Sequence, residues 1–327
     1  MGTCKNLIIV AGPFQLLNAI ETINKFNLSN VLLIVFTNSI KKSNQQIQNY
    51  IDTYSTLFKS VKWIKFTSTF KKYYEYRSFL LDLKKSHFDY IGLASLNKVT
   101  KLILTKTYYN KVILFDDGLE TIHTAKILSS KLKLVSSKYF FLGMNTKLNK
   151  EVIFFSILNL KDIDVIKNNM TFISGTKDKS VENKVDFIGQ DFVRTEYVSE
   201  KTYFEVLDYI SIKYKDYKIE YFPHRGEEED LLLKINKRYN NIEIVKLDIT
   251  YEMYLATQST LPYKVISCWS TVLITINKIF KQIKTEAIFI SRSEILKNND
   301  KIMPTYDYFK KENITVIDIK KGVNNVK

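Results

Sequence analysis

The stretch KVILFDDGLETIHTAK, residues 111–126, decides how this chain reads. Five residues suited to a buried strand, KVILF, run into two adjacent acids and a glycine, and a helix-like pattern begins near Leu119. Strand, tight turn and helix in direct succession form the repeating unit of a parallel sheet. An acid pair at the end of a buried strand is costly unless a neighbour or a ligand uses the charge. The turn therefore raises both a fold and a chemistry.

The same rhythm extends in both directions. Upstream, NLIIV (6–10) precedes FQLLNAIETINKF (14–26), NVLLIVF (30–36) precedes a polar helix-like stretch to Tyr54, and YIGLAS (90–95) follows. Downstream come KVDFIGQ (184–190), a helix near 199–213, KIEYF (218–222) with EEEDLLLKINKRY, IEIVKL (242–247), KVISC (264–268) with STVLITINKIF, EAIFIS (286–291) and ITVIDI (314–319). This alternation predicts an α/β chain of two Rossmann-like domains. The least patterned segment is 161–184, so the expected division is an N-terminal domain over 1–170 and a C-terminal domain over 171–327.

Composition supports a folded protein. Of 327 residues 45% are hydrophobic, with 21 Phe and 21 Tyr to fill cores. Apolar runs such as VLLIVF (31–36) and VIFFSILNL (152–160) are too short to span a bilayer, and the first residues lack a signal-peptide core, so a cytoplasmic protein is expected. Cys4 and Cys268 have no partner at metal-ligand spacing and read as core residues in a reducing compartment. The net charge is +15, and residues 1–150 carry 22 Lys/Arg against 8 Asp/Glu, an excess of 14; residues 151–327 carry 27 against 26. A basic N-terminal half suits anionic lipid headgroups at the inner face of a membrane or an acidic acceptor. Its scattered lysines, Lys41, Lys42, Lys71, Lys72, Lys84 and Lys85 among them, argue against nucleic acid. Lysine-rich composition without function is the plain alternative.

Four strand ends collect the unusual residues. GPFQLLNAIE (12–21) places Gln15 and Asn18 at the opening of a helix, for a substrate hydroxyl or for capping. In FDDG (115–118) one of Asp116 and Asp117 can cap the following helix while the other acts as a general base, Asp117 being preferred beside the glycine. YFPHRGEEED (221–230) holds His224 between Pro223 and Arg225: either a loop histidine bonded to a backbone carbonyl, or an imidazolium for a departing phosphate. SCWSTVLIT (267–275) sets Ser270 and Thr271 at a helix N-terminus, where an anion is attracted. His87 and His123 have no comparable setting. GxxxxGK[ST], GxGxxG, CxxC and HExxH are all absent, against a P-loop enzyme, a dinucleotide oxidoreductase or a zinc hydrolase. Asp162-Ile163-Asp164 has the two-acid spacing of metal-dependent sugar transferases, but its flanks read as a polar loop or a helix start, and no metal or other cofactor is expected.

In this order, GPFQLLNAIE, FDDG, FIGQ, FPH and the Ser270-Thr271 pair resemble the bacterial sialyltransferases of glycosyltransferase family 52 and the related bacterial polysialyltransferases. The resemblance spans Gly12 to Thr271 and implies a GT-B fold, two Rossmann-like domains facing each other across a cleft. It implies an inverting, metal-independent transfer from a CMP-activated nonulosonic acid such as CMP-N-acetylneuraminic acid to a hydroxyl of a surface glycan, a lipooligosaccharide or capsule. Asp117 or Asp116 would be the base and His224, in the histidine-proline motif, the second catalytic residue. Pro223, Arg225, Gly189, Gln190, Ser270 and Thr271 would bind the donor, and Gln15 and Asn18 the acceptor. Here arginine stands where that motif has proline, and Arg225 is available for the donor's phosphate or carboxylate. An NDP-sugar donor on the same fold, and a non-catalytic basic protein binding lipid or nucleic acid, are the alternatives. A homodimer is compatible with the sequence, which does not fix the oligomeric state.

Overall fold

The computed structural model describes residues 4–37, 40–65, 73–129, 151–160, 163–174 and 179–320. The chain divides into two compact units, Met1–Phe172 and Ile173–Lys327.

The first unit contains β1 (Asn6–Val10), α1 (Pro13–Lys25), β2 (Val31–Thr37), α2 (Lys41–Thr53), β3 (Phe58–Lys65), α3 (Tyr73–Lys84), β4 (His87–Leu93), α4 (Lys98–Lys106), β5 (Tyr108–Phe115), α5 (Glu120–Ser129), β6 (Glu151–Ser156) and β7 (Val165–Lys167). α6 (Thr171–Ser174) carries the chain past its end. The strands form one parallel sheet in the order β3-β2-β1-β4-β5-β6-β7, so the direction of winding reverses between β1 and β4. Strands covered on both faces must be apolar throughout. β1 is buried at every position and β2 at all but its last, and Leu7, Ile9, Ile34, Leu93, Val112 and Leu114 share one core cluster. α1 starts with Pro13 in its first turn, where the missing N–H is no loss. It buries Leu16, Leu17, Ala19 and Ile20.

The second unit contains β8 (Ser180–Ile188), α7 (Glu200–Lys213), β9 (Lys218–Phe222), α8 (Glu229–Arg238), β10 (Ile242–Ile244), α9 (Tyr251–Thr257), β11 (Thr260–Ser267), α10 (Val272–Ile279), β12 (Lys284–Phe289), α11 (Asn299–Lys311) and β13 (Thr315–Asp318). Its parallel sheet runs β10-β9-β8-β11-β12-β13 and reverses between β8 and β11. Counted within the unit this is the order 3-2-1-4-5-6, the doubly wound order that the first sheet also follows before adding a seventh strand. Ser199 caps α7 by accepting the N–H of Thr202.

The segment 161–184, read as unpatterned, holds β7, α6 and the start of β8, whose first four residues are exposed. β3, at the sheet edge, and β6, whose VIFF was visible only as a short apolar run, are strands that the alternating pattern did not show. Cys268 is buried, and burial raises its thiol pKa; Cys4 is half-buried. Asp162 lies outside the described residues, as does the side chain of His123.

Candidate active site

At the C-terminal edge of the first sheet, the two acids part company. Asp116 is fully buried. Its Oδ1 accepts from Ser156 Oγ at 2.5 Å and its Oδ2 from the N–H of Ile157 at 2.7 Å, tying the end of β5 to the end of β6. Burial raises its pKa to about 6, against hydrogen bonds from Ser156, Ile157 and Thr121 that favour the ionised form. Fully buried and bonded at both oxygens, Asp116 braces β6 against β5 and also bonds Thr121 in the first turn of α5.

Asp117, one residue on, is half-buried. Its N–H donates to Thr121 Oγ1 at 2.8 Å, and its Oδ1 accepts from Gln15 Nε2 at 2.6 Å. Gly118 follows at φ 63°, a left-handed conformation that glycine adopts without strain, and it turns the chain into α5. Gln15 itself accepts the N–H of Ala11 on Oε1 at 2.7 Å. Asn18 is fully buried: Nδ2 donates to the Phe14 carbonyl at 2.9 Å and Oδ1 accepts from Asn168 at 2.8 Å. Those bonds correct the expectation that Asn18 meets an acceptor; it fixes α1 to the chain beyond β7.

In the second unit, the ends of β8, β9 and β11 converge at the reversal of the sheet. Gln190, just after β8, accepts the N–H of Trp269 on Oε1 at 3.0 Å, and the Ser267 hydroxyl, which donates to the Ile188 carbonyl at 2.8 Å, lies 3.2 Å from the same oxygen. Its N–H donates to Tyr203 Oη at 3.3 Å. The Tyr203 and Tyr221 hydroxyls lie 2.8 Å apart and both are within hydrogen-bond reach of Glu227 Oε1, at 3.1 and 2.6 Å; with one proton each, the closer Tyr221 donates to Glu227 and Tyr203 donates to Tyr221. Glu227 Oε2 takes the N–H of His224 at 2.6 Å. Gly189 makes room for this chain of bonds: a Cβ there would lie 2.5 Å from Glu227 Oε2 and 2.6 Å from Tyr221 Oη. Burial raises the Glu227 pKa to about 7.

The surroundings of His224 favour the neutral ring. Burial first, then the adjacent Arg225, lower its pKa to about 4. Its Nδ1 accepts the N–H of Gly226 at 3.1 Å, so the neutral ring carries its proton on Nε2. Gly226 packs on the carboxylate of Asp191, which pairs with Arg194, and Arg194 Nε also donates to the Gly226 carbonyl at 2.9 Å. The Pro223-His224-Arg225-Gly226 turn is therefore held from both sides. Glu252, in the first turn of α9, is buried, with a pKa pushed up to about 7 by burial and opposed in part by Arg225.

Ser270 and Thr271 are half-buried at the start of α10. Ser270 Oγ accepts from the N–H of Val272 at 3.3 Å, and the Thr271 carbonyl accepts from Ile274. Trp269 packs against Phe192 in a tilted arrangement, with ring centroids 4.0 Å apart. Ser156, Asp191, Arg194, Tyr203, Tyr221 and Glu227 escaped the sequence reading. Glu227 alone carried a signal, three residues beyond His224 in the same glycine-containing turn. Among the described residues, no group of three or more His, Cys, Asp or Glu could hold a metal ion.

Two parallel doubly wound sheets, each with polar residues gathered at its strand ends, form the architecture of GT-B glycosyltransferases. The alpha-2,8-polysialyltransferase (POLYST) family model matches residues 6–288, and the chain belongs to that family of glycosyltransferases. Among solved structures it is similar to a putative UDP-N-acetylglucosamine 2-epimerase from Listeria monocytogenes, with a TM-score of 0.50 and 8% identity over 96% of this chain and 89% of that one. It is also similar to MurG of Acinetobacter baumannii (TM-score 0.49, 10% identity, 96% and 86% covered). E. coli heptosyltransferase WaaC with ADP is a third (TM-score 0.42, 9% identity, 94% and 98% covered). At these identities the likeness is one of fold. Among curated proteins none matches the chain.

Proposed function

We propose that the protein is an inverting, metal-independent sialyltransferase. It moves N-acetylneuraminic acid or a related nonulosonic acid from a CMP-activated donor to a hydroxyl of a surface glycan, a lipooligosaccharide or capsule. The observation that carries this reading is the separation of the two acids within a chain of the polysialyltransferase family: Asp116 is fully buried and doubly bonded, whereas Asp117 is half-buried at the strand end with one oxygen held by Gln15. Asp117 is the general base.

In this reading residues 1–170 supply the acceptor side and the base, and residues 171–327 bind the donor. The kinship with glycosyltransferase family 52 belongs to the same reading, resting on the order of the short motifs. CMP leaves as a phosphate monoester, an anion whose second proton has a pKa near 6. It needs charge stabilisation more than a proton, and neutral His224 can donate from Nε2 while Arg225, Ser270, Thr271 and the start of α10 add positive potential. Gln190, pinned between β8 and β11, shapes the floor. The donor's own carboxylate sits on a tertiary anomeric carbon, so the transition state is oxocarbenium-like and one carboxylate suffices to take the acceptor proton as the bond forms.

The excess of 14 positive charges in residues 1–150 suits a lipid-linked acceptor at the anionic inner leaflet. No helix among the described residues is long and apolar enough to cross a membrane. The test is CMP release from CMP-N-acetylneuraminic acid in EDTA, with and without a galactoside acceptor. Release stimulated by acceptor and abolished by Asp117→Asn and His224→Ala supports donor, base and metal independence together. CMP binding without release turns the search to other nonulosonic acids, and release from UDP- or GDP-sugars alone would overturn the donor assignment.

A further inference from the structure

We propose that Gln15 is the positioning residue of the Asp117 carboxylate, locked into the donating orientation by the backbone of Ala11. The proposal rests on the reading of Asp117 as base.

Gln15 is the third residue of α1, a position from which a side-chain oxygen often reaches back to a backbone N–H preceding the helix. Its Oε1 does this with Ala11 at 2.7 Å. A glutamate would serve the helix equally well. An amide adds a donor on the other arm of the same planar group. The Ala11 N–H can only donate, so Oε1 must face it and Nε2 must face away, and Nε2 lies 2.6 Å from Asp117 Oδ1.

The contact crosses a distinctive place. α1 follows β1 and Asp117 follows β5, and β4 lies between those strands in the sheet. The Gln15–Asp117 bond therefore passes over the end of β4, beside the point where the winding reverses, the place where open α/β sheets bind ligands. Both partners stand on fixed supports. α1 is anchored by buried Leu16, Leu17 and Asn18, and the Asp117 backbone is held by Thr121 and by the Gly118 turn. A base at a reacting centre has to present one oxygen at a defined angle, and a misplacement of about 1 Å costs on the order of 10²-fold in rate. A donor on the carboxylate also favours its ionised form.

The experiment compares Gln15→Glu, which keeps the acceptor for Ala11 and removes the donor, with Gln15→Met, which removes both. The carboxyl carbon of Asp117, assigned with Asp117→Asn, is titrated by ¹³C NMR, and acceptor-stimulated CMP release is followed against pH. In both variants the Asp117 titration and the acid limb of kcat are expected to move to higher pH. At neutral pH kcat should fall roughly ten- to a hundredfold, the worth of a charge-assisted hydrogen bond, with CMP affinity unchanged. A cap alone predicts that Gln15→Met, which adds no charge beside Asp117, leaves the Asp117 titration in place, whereas Gln15→Glu shifts it by like-charge repulsion in either case. If Gln15→Met loses its fold, Gln15→Leu takes its place. A wild-type titration and pH profile in the folded neutral variant, alongside an inactive Asp117→Asn, overturns the positioning role and leaves the base in place. Full acceptor-stimulated release by Asp117→Asn overturns the base itself, and this role with it.

Discussion

Ser156 Oγ lies 2.5 Å from Asp116 Oδ1, forty residues away in the chain, and this bond joins the end of β6 to the end of β5 beside Asp117. Ser156 favours the ionised form of a carboxyl that burial has raised to about 6. Removing the hydroxyl should therefore cost more above that pH than below it. Ser156→Ala is expected to lose about 1–3 kcal/mol of stability at pH 7.5, where Asp116 is charged, and clearly less at pH 5, where it is largely protonated. Urea denaturation at the two pH values measures the difference, and equal losses would show that Asp116 does not titrate in that window.

The fold was legible where burial is two-sided. VLLIVF in β2 and KVILF in β5 are strands covered on both faces, and their apolar runs leave little else for them to be. β3 sits at an edge with Lys59, Trp63 and Lys65 exposed, and β7 has three residues with two of them exposed, so neither offers an uninterrupted apolar run. The site divides in the same way. Asp117 and His224 stood out because a glycine or proline beside a strand end marks a turn that local chemistry can explain. Ser156, Tyr203 and Tyr221 did not, because their roles come from contacts with residues distant in the chain, as Ser156 with Asp116 and Tyr203 with Glu227.

Gly189 is required for space. A Cβ would sit 2.6 Å from Tyr221 Oη, on a ring that is fully buried, and 2.5 Å from a Glu227 oxygen already committed to His224. Neither neighbour can withdraw without breaking a bond. Gly189→Ala should destabilise the protein by about 1–3 kcal/mol and weaken CMP binding, because the His224 turn loses its anchor. Thermal unfolding and calorimetric titration with CMP test the two effects. Gly12, where a Cβ meets nothing within 4 Å, supplies the control: Gly12→Ala should leave CMP affinity unchanged.

Glu227 should make stability depend on pH in a stated direction. Its folded pKa is raised by burial from 4.5 to about 7, so between those values the native protein holds a proton that the unfolded chain has released. The contribution is complete below about pH 4.5 and is lost as the pH rises through 7, by on the order of 3 kcal/mol in all. Glu227→Gln has no such proton to lose. Its stability should fall less steeply from pH 5 to 8 than that of wild type, and parallel curves for the two proteins in chemical denaturation would exclude Glu227 as the titrating group.

His224 is expected to act as a neutral hydrogen-bond donor, a role that glutamine can partly imitate. Nδ1 is occupied by the Gly226 N–H and the pKa is lowered to about 4, so Nε2 carries the proton throughout the physiological range. A donor to the departing phosphate contributes roughly 10²–10³-fold when removed from a preorganised site. His224→Ala should lose activity on that scale, whereas His224→Gln, which places an amide N–H near the position of Nε2, should recover a measurable part of it. Had the ring served as an imidazolium proton donor, the two variants would be equally inactive, and wild-type kcat would fall on the alkaline side as the ring lost its proton between pH 6 and 7. The profile expected here shows no such loss from His224, since the ring stays neutral from about pH 5 upward.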